Sequence, residues 1–78
     1  MSSIKLYSDF SCPYCEALEN FLLENNIPFD VIDIRMDSEA REDIFLKTKQ
    51  GLVPILDING YIIVGFEKEI IKKVLNIK

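Results

Sequence analysis

The stretch IKLYSDFSCPYCEALENFLLE, residues 4–24, decides the fold because its hydrophobic period changes at the two cysteines. In residues 4–8 apolar and polar side chains alternate, with Ile4 and Leu6 on one face, which predicts a first β-strand. From residue 12 to residue 25 the apolar side chains recur at helical spacing: Tyr14, Ala17, Leu18, Phe21, Leu22. Pro13 suits the first helical position, so the sequence predicts a helix that begins at the cysteines.

The rest of the chain continues to alternate between strand and helix patterns. PFDVIDI (28–34) predicts a second strand, buried on both faces, and a second helix is expected to open with Ser38 as its N-cap. The apolar stripe of that helix is Ala40, Ile44, Phe45, Thr48. VPILDI (53–58) and YIIVG (61–65) flank Asn59-Gly60, which is a strong hairpin signal. Residues 67–78 predict a last helix with an apolar face of Ile70, Ile71, Val74, Leu75.

The predicted order of elements is therefore β-α-β-α-β-β-α, an α/β fold in one domain that spans residues 1–78. A helical crossover links a first parallel strand pair, and the hairpin completes the sheet. Phe21, Phe29 and Phe45 are predicted to lie in the core.

Composition excludes several classes of function. The chain has 49% hydrophobic and 28% charged residues and no apolar run long enough to span a bilayer. A formal net charge of −4 argues against nucleic-acid binding, and the absence of histidine excludes Ser/His/Asp and Cys/His catalysis. The N-terminus MSSIKLYSDF shows no secretory signal, so we expect a cytoplasmic protein whose thiols are kept reduced.

Three hypotheses compete for Cys12 and Cys15. A structural disulfide would close a very short loop, where cross-linking gains least. A zinc site would have two thiolates and no histidine, and would need ligands from another chain or from carboxylates. A redox dithiol fits the spacing best: with Cys12 at the N-cap, its sulfur meets unpaired backbone N–H groups and the positive end of the helix dipole, and Cys15 lies one turn further in. We expect Cys12 to attack and Cys15 to resolve.

The run Cys12-Pro13-Tyr14-Cys15 resembles the active site of dithiol glutaredoxins, small members of the thioredoxin-fold superfamily. IKLYS, LVP and IIVGFEKE fall in the order and spacing of that family, so the resemblance covers nearly the whole chain. It implies a thioredoxin fold, a four-stranded mixed sheet flanked by three helices. It also implies a glutathione-dependent thiol-disulfide oxidoreductase, active in electron transport and cell redox homeostasis, that reduces protein disulfides and protein-glutathione mixed disulfides.

The resemblance also implies how glutathione would bind. In glutaredoxins a Val-Pro pair with a cis proline lies beside the cysteines, and the backbone before the proline pairs with the cysteinyl part of glutathione. Val53-Pro54, preceded by Leu52 where the family usually has Thr, fits that place. The ring of Tyr14 would lie beside the sulfurs, and Arg41 would reach the glycine carboxylate of glutathione.

The remaining implied contacts lie at the start of the last helix. The family holds the γ-glutamyl carboxylate with backbone N–H groups of a Gly-Gly-x-Asp segment, and the corresponding residues here are Gly65, Phe66 and Glu67. A helix N-terminus binds anions by its geometry. Glu67 is expected to keep a capping oxygen, and Phe66 to give the ligand an apolar floor.

One departure from the family concerns the electron donor. Asp9 stands where glutaredoxins commonly have Lys, and its carboxylate would repel an anionic ligand. The alternative is a glutaredoxin-like carrier reduced by thioredoxin reductase, which Asp9, Leu52, Val64 and Phe66 favour. A further alternative, a carrier of a [2Fe–2S] cluster ligated with glutathione across a dimer, is disfavoured in the family by proline directly after the first cysteine. We expect a monomer without a metal, whose partners are glutathione and disulfide-bearing or glutathionylated proteins.

Overall fold

The structure, a computed structural model, describes residues 3–9, 11–49 and 52–77 and contains the seven expected elements in the expected order. Their bounds are β1 Ile4–Ser8, α1 Pro13–Glu24, β2 Asp30–Asp33, α2 Ser38–Thr48, β3 Ile55–Ile58, β4 Tyr61–Val64 and α3 Lys68–Leu75. Within these three ranges no helix is both long and apolar enough to cross a membrane. The predicted α/β architecture is confirmed.

The four strands form one mixed sheet in the order β2-β1-β3-β4. β1 pairs with β2 in parallel and with β3 antiparallel, so that Tyr7 lies between Ile32 and Ile55. Asn59 and Gly60 both have positive φ, 51° and 96°, as a tight hairpin between β3 and β4 requires. The central position of β1 sends its carboxyl end directly into the loop that carries the cysteines.

The sheet is covered unequally on its two faces. The larger core cluster lies between the sheet, α1 and α3, and its buried members are Ile4, Leu6, Leu18, Phe21, Leu22, Leu56, Ile58, Ile63, Ile71. On the other face the buried cluster is Tyr7, Ile34, Ile44, Ile55. α1 therefore contributes three side chains to the larger cluster, which fixes the helix that bears the dithiol.

Several side chains predicted to be buried are exposed. β2 is an edge strand, so the prediction that it is buried on both faces is wrong, and Val31 is 48% exposed. α2 packs through Ile44, and the prediction that Phe45 lies in the core is wrong because this side chain points away from the sheet and is 57% exposed. Tyr14, Ala17 and Ile70 are also exposed.

Side-chain hydrogen bonds mark the end of α1 and the start of α2. Asn25 is the C-cap of α1, and its side-chain amide donates to the Phe21 carbonyl over 2.8 Å. The predicted N-cap of α2 is wrong by one residue: Asp37 is the cap and accepts from the Ala40 N–H over 3.0 Å, while Ser38 is the first helical residue. A carboxylate one position earlier replaces the serine hydroxyl as acceptor.

Candidate active site

The sulfur of Cys12 lies at the N-terminus of α1. Cys12 is the N-cap, with extended φ and ψ of −101° and 110°, and Pro13 follows at the first helical position. The Cys15 backbone N–H donates to Cys12 Sγ over 3.1 Å, and the Cys12 thiol donates to the Val53 carbonyl over 3.8 Å. The helix start therefore holds the sulfur of a half-buried free thiol and offers it an N–H donor, which stabilises negative charge on sulfur.

Cys15 lies in a different environment although it is in the same helical turn. Its side chain is only 3% exposed and its thiol is free. Burial, and next the hydrogen bond with Cys12, raise the pKa of the Cys15 thiol well above its ordinary value. The two thiols are thus differentiated: one is accessible at the helix start, and the other is buried and protonated.

The loop before Cys12 is organised by Asp9. Its carboxylate accepts from the Ser11 N–H over 3.1 Å and from the Ser11 hydroxyl over 3.0 Å, and its carbonyl accepts from the Cys12 N–H over 3.0 Å. Arg35 Nη1 lies 3.9 Å from Asp9 Oδ1. The hydrogen bonds from Ser11, ahead of the attraction of Arg35, lower the pKa of Asp9. Sequence reasoning missed this turn, although Asp followed two residues later by Ser is a local signal for it.

The segment 52–54 lies beside the nucleophile. The Val53-Pro54 peptide bond is cis, as the resemblance implies. The carbonyl of Val53 contacts Cys12 Sγ, Pro54 is buried, and Leu52 is 63% exposed at the surface next to them. The structure thus brings the segment of these three predicted site residues to the dithiol, with the carbonyl of Val53 facing the sulfur.

The start of α3 is connected to this segment through Gly65. Gly65 has a φ of 85° and donates its N–H to the Pro54 carbonyl over 2.7 Å. Phe66 packs its ring 5.8 Å from that of Phe21, against the larger core cluster. Glu67 occupies the N-cap of α3, but its side chain makes no capping hydrogen bond, so the expectation of a capping oxygen is wrong. The ring of Phe66 is drawn into the core because the Phe21 ring offers apolar area there.

Tyr14 and Arg41 take different places. Tyr14 is 67% exposed in the first turn of α1, between the two cysteines in sequence. Arg41 Nη1 donates to the Ile34 carbonyl over 3.3 Å, and the side chain lines a surface pocket of about 520 Å³ together with Ser38, Glu42 and Phe45. The lining of this pocket contains neither cysteine, and the contacts of Arg41 are with residues of α2 and with Ile34, just after β2.

The donor set of the site suits sulfur chemistry. Among residues 3–9, 11–49 and 52–77, no group of three or more His, Cys, Asp or Glu side chains is arranged to hold a metal ion. Two free thiols one helical turn apart, one accessible and one buried, can exchange with an external disulfide and then close on each other.

Comparisons with known proteins agree with this geometry. The sequence model of the Glutaredoxin family matches residues 4–63. A glutaredoxin-like 8.6 kDa protein in the rubredoxin operon of Clostridium pasteurianum is 39% identical over 92% of this chain and 96% of its own length. The N-acetyl-S-hydroxy-L-cysteine reductase of Bacillus subtilis is 32% identical over 72% of this chain and 60% of its own length.

A solved structure extends the likeness to the whole fold. A mutant of the thioredoxin-like protein BC3987 superimposes with a TM-score of 0.91 at 29% identity, covering 100% of both chains. The predicted thioredoxin fold is confirmed by this match together with the observed order of elements.

Proposed function

Since the chain belongs to the glutaredoxin family, we propose that it is a dithiol oxidoreductase that reduces protein disulfides and protein-glutathione mixed disulfides through Cys12 and Cys15. The observation that carries this proposal is the contact between the two residues: the N–H of buried Cys15 donates to Cys12 Sγ over 3.1 Å at the start of α1. This contact gives the two thiols different roles.

The proposed reaction begins with the Cys12 thiolate. It attacks one sulfur of the substrate disulfide, forms a mixed disulfide, and expels the other sulfur as a thiolate that takes up a proton. Cys15 then loses its proton and attacks Cys12 Sγ, which releases the second substrate thiol and leaves a Cys12–Cys15 disulfide. Two electrons have passed from the dithiol to the substrate. Two molecules of a reducing thiol return them by the reverse exchanges and leave as their own disulfide.

Glutathione is our first candidate for the reducing thiol. The backbone carbonyl of Val53, next to Cys12 Sγ, supports the proposal by placing a main-chain group where a cysteinyl residue would bind. The first turn of α3, which begins at Lys68, has backbone N–H groups without intrahelical partners and suits a carboxylate. Tyr14 and Leu52 have exposed side chains and would contact the ligand, together with Gly65, Phe66 and Glu67. The role of Arg41 as a ligand for the glycine carboxylate stays a prediction.

A second candidate donor is an NADPH-linked thioredoxin reductase. The observation that favours it is Asp9, whose carboxylate is fixed by Ser11 directly before the nucleophile and carries the charge that opposes an anionic thiol. A flavoenzyme brings its own dithiol to Cys12 and needs no site for glutathione carboxylates.

The proposal extends to the setting of the protein. We propose that residues 1–78 act as one monomeric domain in the cytoplasm, with glutathione and oxidised proteins as partners. The Bacillus relative carries the name of a reductase for an oxidised cysteine derivative, so small oxidised thiols belong to the proposed substrate class.

The test separates the roles of the two cysteines. Reduction of insulin and of a glutathionylated peptide is measured for the unmodified protein, Cys12→Ser and Cys15→Ser. We expect Cys12→Ser to be inactive on both substrates, whereas Cys15→Ser retains deglutathionylation because glutathione can resolve the mixed disulfide. Disulfide reduction by the Cys12→Ser protein would refute the assignment.

The donor is tested on the oxidised protein. One reaction contains glutathione, glutathione reductase and NADPH, and the other contains thioredoxin reductase and NADPH. Consumption of NADPH in the first reaction alone supports glutathione as donor, and consumption in the second alone supports the flavoenzyme.

A further inference from the structure

We propose that Asp9 is a specificity-determining residue that directs the dithiol toward cationic disulfides and thiols and away from anionic ones. This inference rests on the proposed function, because it concerns the substrates of the same two cysteines. It adds to that function a preference for the sign of the charge that the substrate carries.

The first observation is that the backbone of Asp9 is attached to the reactive loop. Its carbonyl accepts the Cys12 N–H over 3.0 Å, so this peptide unit moves with the nucleophile. Asp9 acts on the second cysteine in two opposite ways: a hydrogen bond with its backbone lowers the pKa of Cys15, and its negative charge, a smaller effect, raises that pKa. The backbone contact with Cys12 places Asp9 in the loop that carries the dithiol.

The second observation is that the carboxylate is held in one place. Ser11 donates to Oδ1 twice, from its N–H over 3.1 Å and from its hydroxyl over 3.0 Å. A carboxylate that accepts such hydrogen bonds stays ionised, in line with the lowered pKa of Asp9. The loop that precedes Cys12 therefore carries a fixed negative charge.

The third observation is that the segment around Asp9 carries little positive charge in sequence. Residues 6–34, which include the last three residues of β1 and all of α1 and β2, contain no Lys or Arg, whereas Glu16 adds a second carboxylate in the first turn of α1. Arg35 approaches Asp9 Oδ1 only to 3.9 Å, and both side chains are partly exposed, 49% and 26% respectively. Such a pair screens the carboxylate weakly, so a substrate that approaches Cys12 from the side of Asp9 meets negative charge.

The consequence is a bias in the first exchange step. The attack of the Cys12 thiolate on a disulfide brings the substrate within a few ångströms of the loop, where charges interact across less than a Debye length. A cationic disulfide is attracted at this stage and an anionic one is repelled. The chemical step is of the same kind for both substrates. A bond forms between Cys12 Sγ and one substrate sulfur, and the other substrate sulfur leaves as a thiolate.

The experiment uses three small disulfides that differ in charge: cystamine, a dication; hydroxyethyl disulfide, which is neutral; and oxidised glutathione, an anion. Second-order rate constants for their reduction by the reduced protein are measured by acid quench and mass spectrometry at low ionic strength. Each is divided by the rate constant of the same disulfide with dithiothreitol, which removes differences in intrinsic reactivity.

The variant Asp9→Asn keeps the oxygen that accepts from Ser11 and removes the charge. We expect it to raise the normalised rate for oxidised glutathione relative to cystamine by about 3- to 10-fold, with the hydroxyethyl disulfide rate little changed. Asp30→Asn is the matched control. Asp30 is exposed at the start of β2, where it pairs with Lys5, so its replacement should leave the ratio unchanged.

Several outcomes would overturn the inference. One is an unchanged ratio in Asp9→Asn, and another is an equal change in Asp30→Asn. If Asp9→Asn slows all three disulfides alike, Asp9 positions the loop and does not select charge.

If Asp9→Asn does not fold, a salt titration of the unmodified protein decides: added salt should slow the reduction of cystamine and accelerate that of oxidised glutathione, and the opposite result refutes the inference. No reaction with hydroxyethyl disulfide would instead refute the proposed function.

Discussion

The backbone N–H of Cys15 lies 3.1 Å from Cys12 Sγ, so the buried cysteine also provides the donor that holds the accessible one. The contact arises because an N-cap side chain accepts from the N–H three residues later, and here the capping atom is sulfur. One local motif therefore sets the position of the Cys12 sulfur relative to the backbone of Cys15.

Stability at alkaline pH should report the environment of Cys15. Burial, and next the hydrogen bond with Cys12, raise the pKa of its thiol from 9.0 to about 12. The folded protein holds this proton more tightly than the unfolded chain, so the stabilisation is present below pH 9 and is lost as pH rises toward about 12. Urea unfolding of the reduced protein at increasing pH should show this loss, and Cys15→Ala should show a shallower dependence.

Tyr7 supplies the background for this measurement. Burial raises its pKa above 10.0, so it contributes alkaline destabilisation of the same sign in both proteins. The difference between the unmodified protein and Cys15→Ala isolates the thiol. Equal pH dependence in the two proteins would contradict the assignment of Cys15 as a buried, protonated thiol.

Removal of the cap of α2 should distinguish two adjacent residues. Asp37→Ala loses the acceptor for the Ala40 N–H, and we expect a loss of about 1 kcal/mol in the free energy of unfolding. Ser38→Ala is the control, because Ser38 is the first residue within the helix and should change stability by less than about 0.5 kcal/mol. A larger loss of stability in Ser38→Ala than in Asp37→Ala would indicate that Ser38 is the N-cap, as the sequence predicts.

Neighbouring apolar residues of α2 should differ sharply on truncation. Ile44 is 3% exposed and packs with Tyr7, Ile34 and Ile55, so Ile44→Ala should cost about 2–5 kcal/mol. Phe45 is 57% exposed, and Phe45→Ala should stay within about 0.5 kcal/mol. Denaturant midpoints of the two variants test this order, and a costly Phe45→Ala would indicate that the pocket on α2 is occupied.

Phe66 offers a test of core packing against ligand contact. Its half-buried ring meets Phe21 at 5.8 Å, and Phe66→Ala should lower the free energy of unfolding by about 1–3 kcal/mol. Tyr61→Ala, an exposed aromatic on β4, is the comparison and should have little effect. If Phe66 also lines the glutathione site, Phe66→Ala will raise KM for glutathione and leave the rate of hydroxyethyl disulfide reduction unchanged. If Phe66 serves core packing alone, both this KM and this rate will be unchanged.

The parts of the fold that the sequence predicted correctly depend on local interactions. Pro13 at the first helical position and Asn59-Gly60 in the hairpin each occupy a backbone conformation that the residue type itself prefers. The change from strand to helix at Cys12 likewise follows from the period of the apolar side chains. For this reason the order of elements and the place of the dithiol could both be predicted.

The failures involve positions whose burial depends on a neighbouring element. Val31 alternates like a core residue, but β2 has a partner strand on one side only, so its side chain meets solvent. Phe45 follows the apolar stripe of α2, but the sheet below accepts Ile44 in its place.

The sequence by itself determined the β-α-β-α-β-β-α order and a Cys-x-x-Cys pair at the start of a helix, because hydrophobic period and helix capping act over a few residues. Only the tertiary structure decided what surrounds that pair. Val53 reaches Cys12 from 41 residues away, and Arg35 approaches Asp9 from the end of the parallel partner strand. Contacts between segments distant in sequence depend on how the sheet brings strand ends together, and no local preference encodes them.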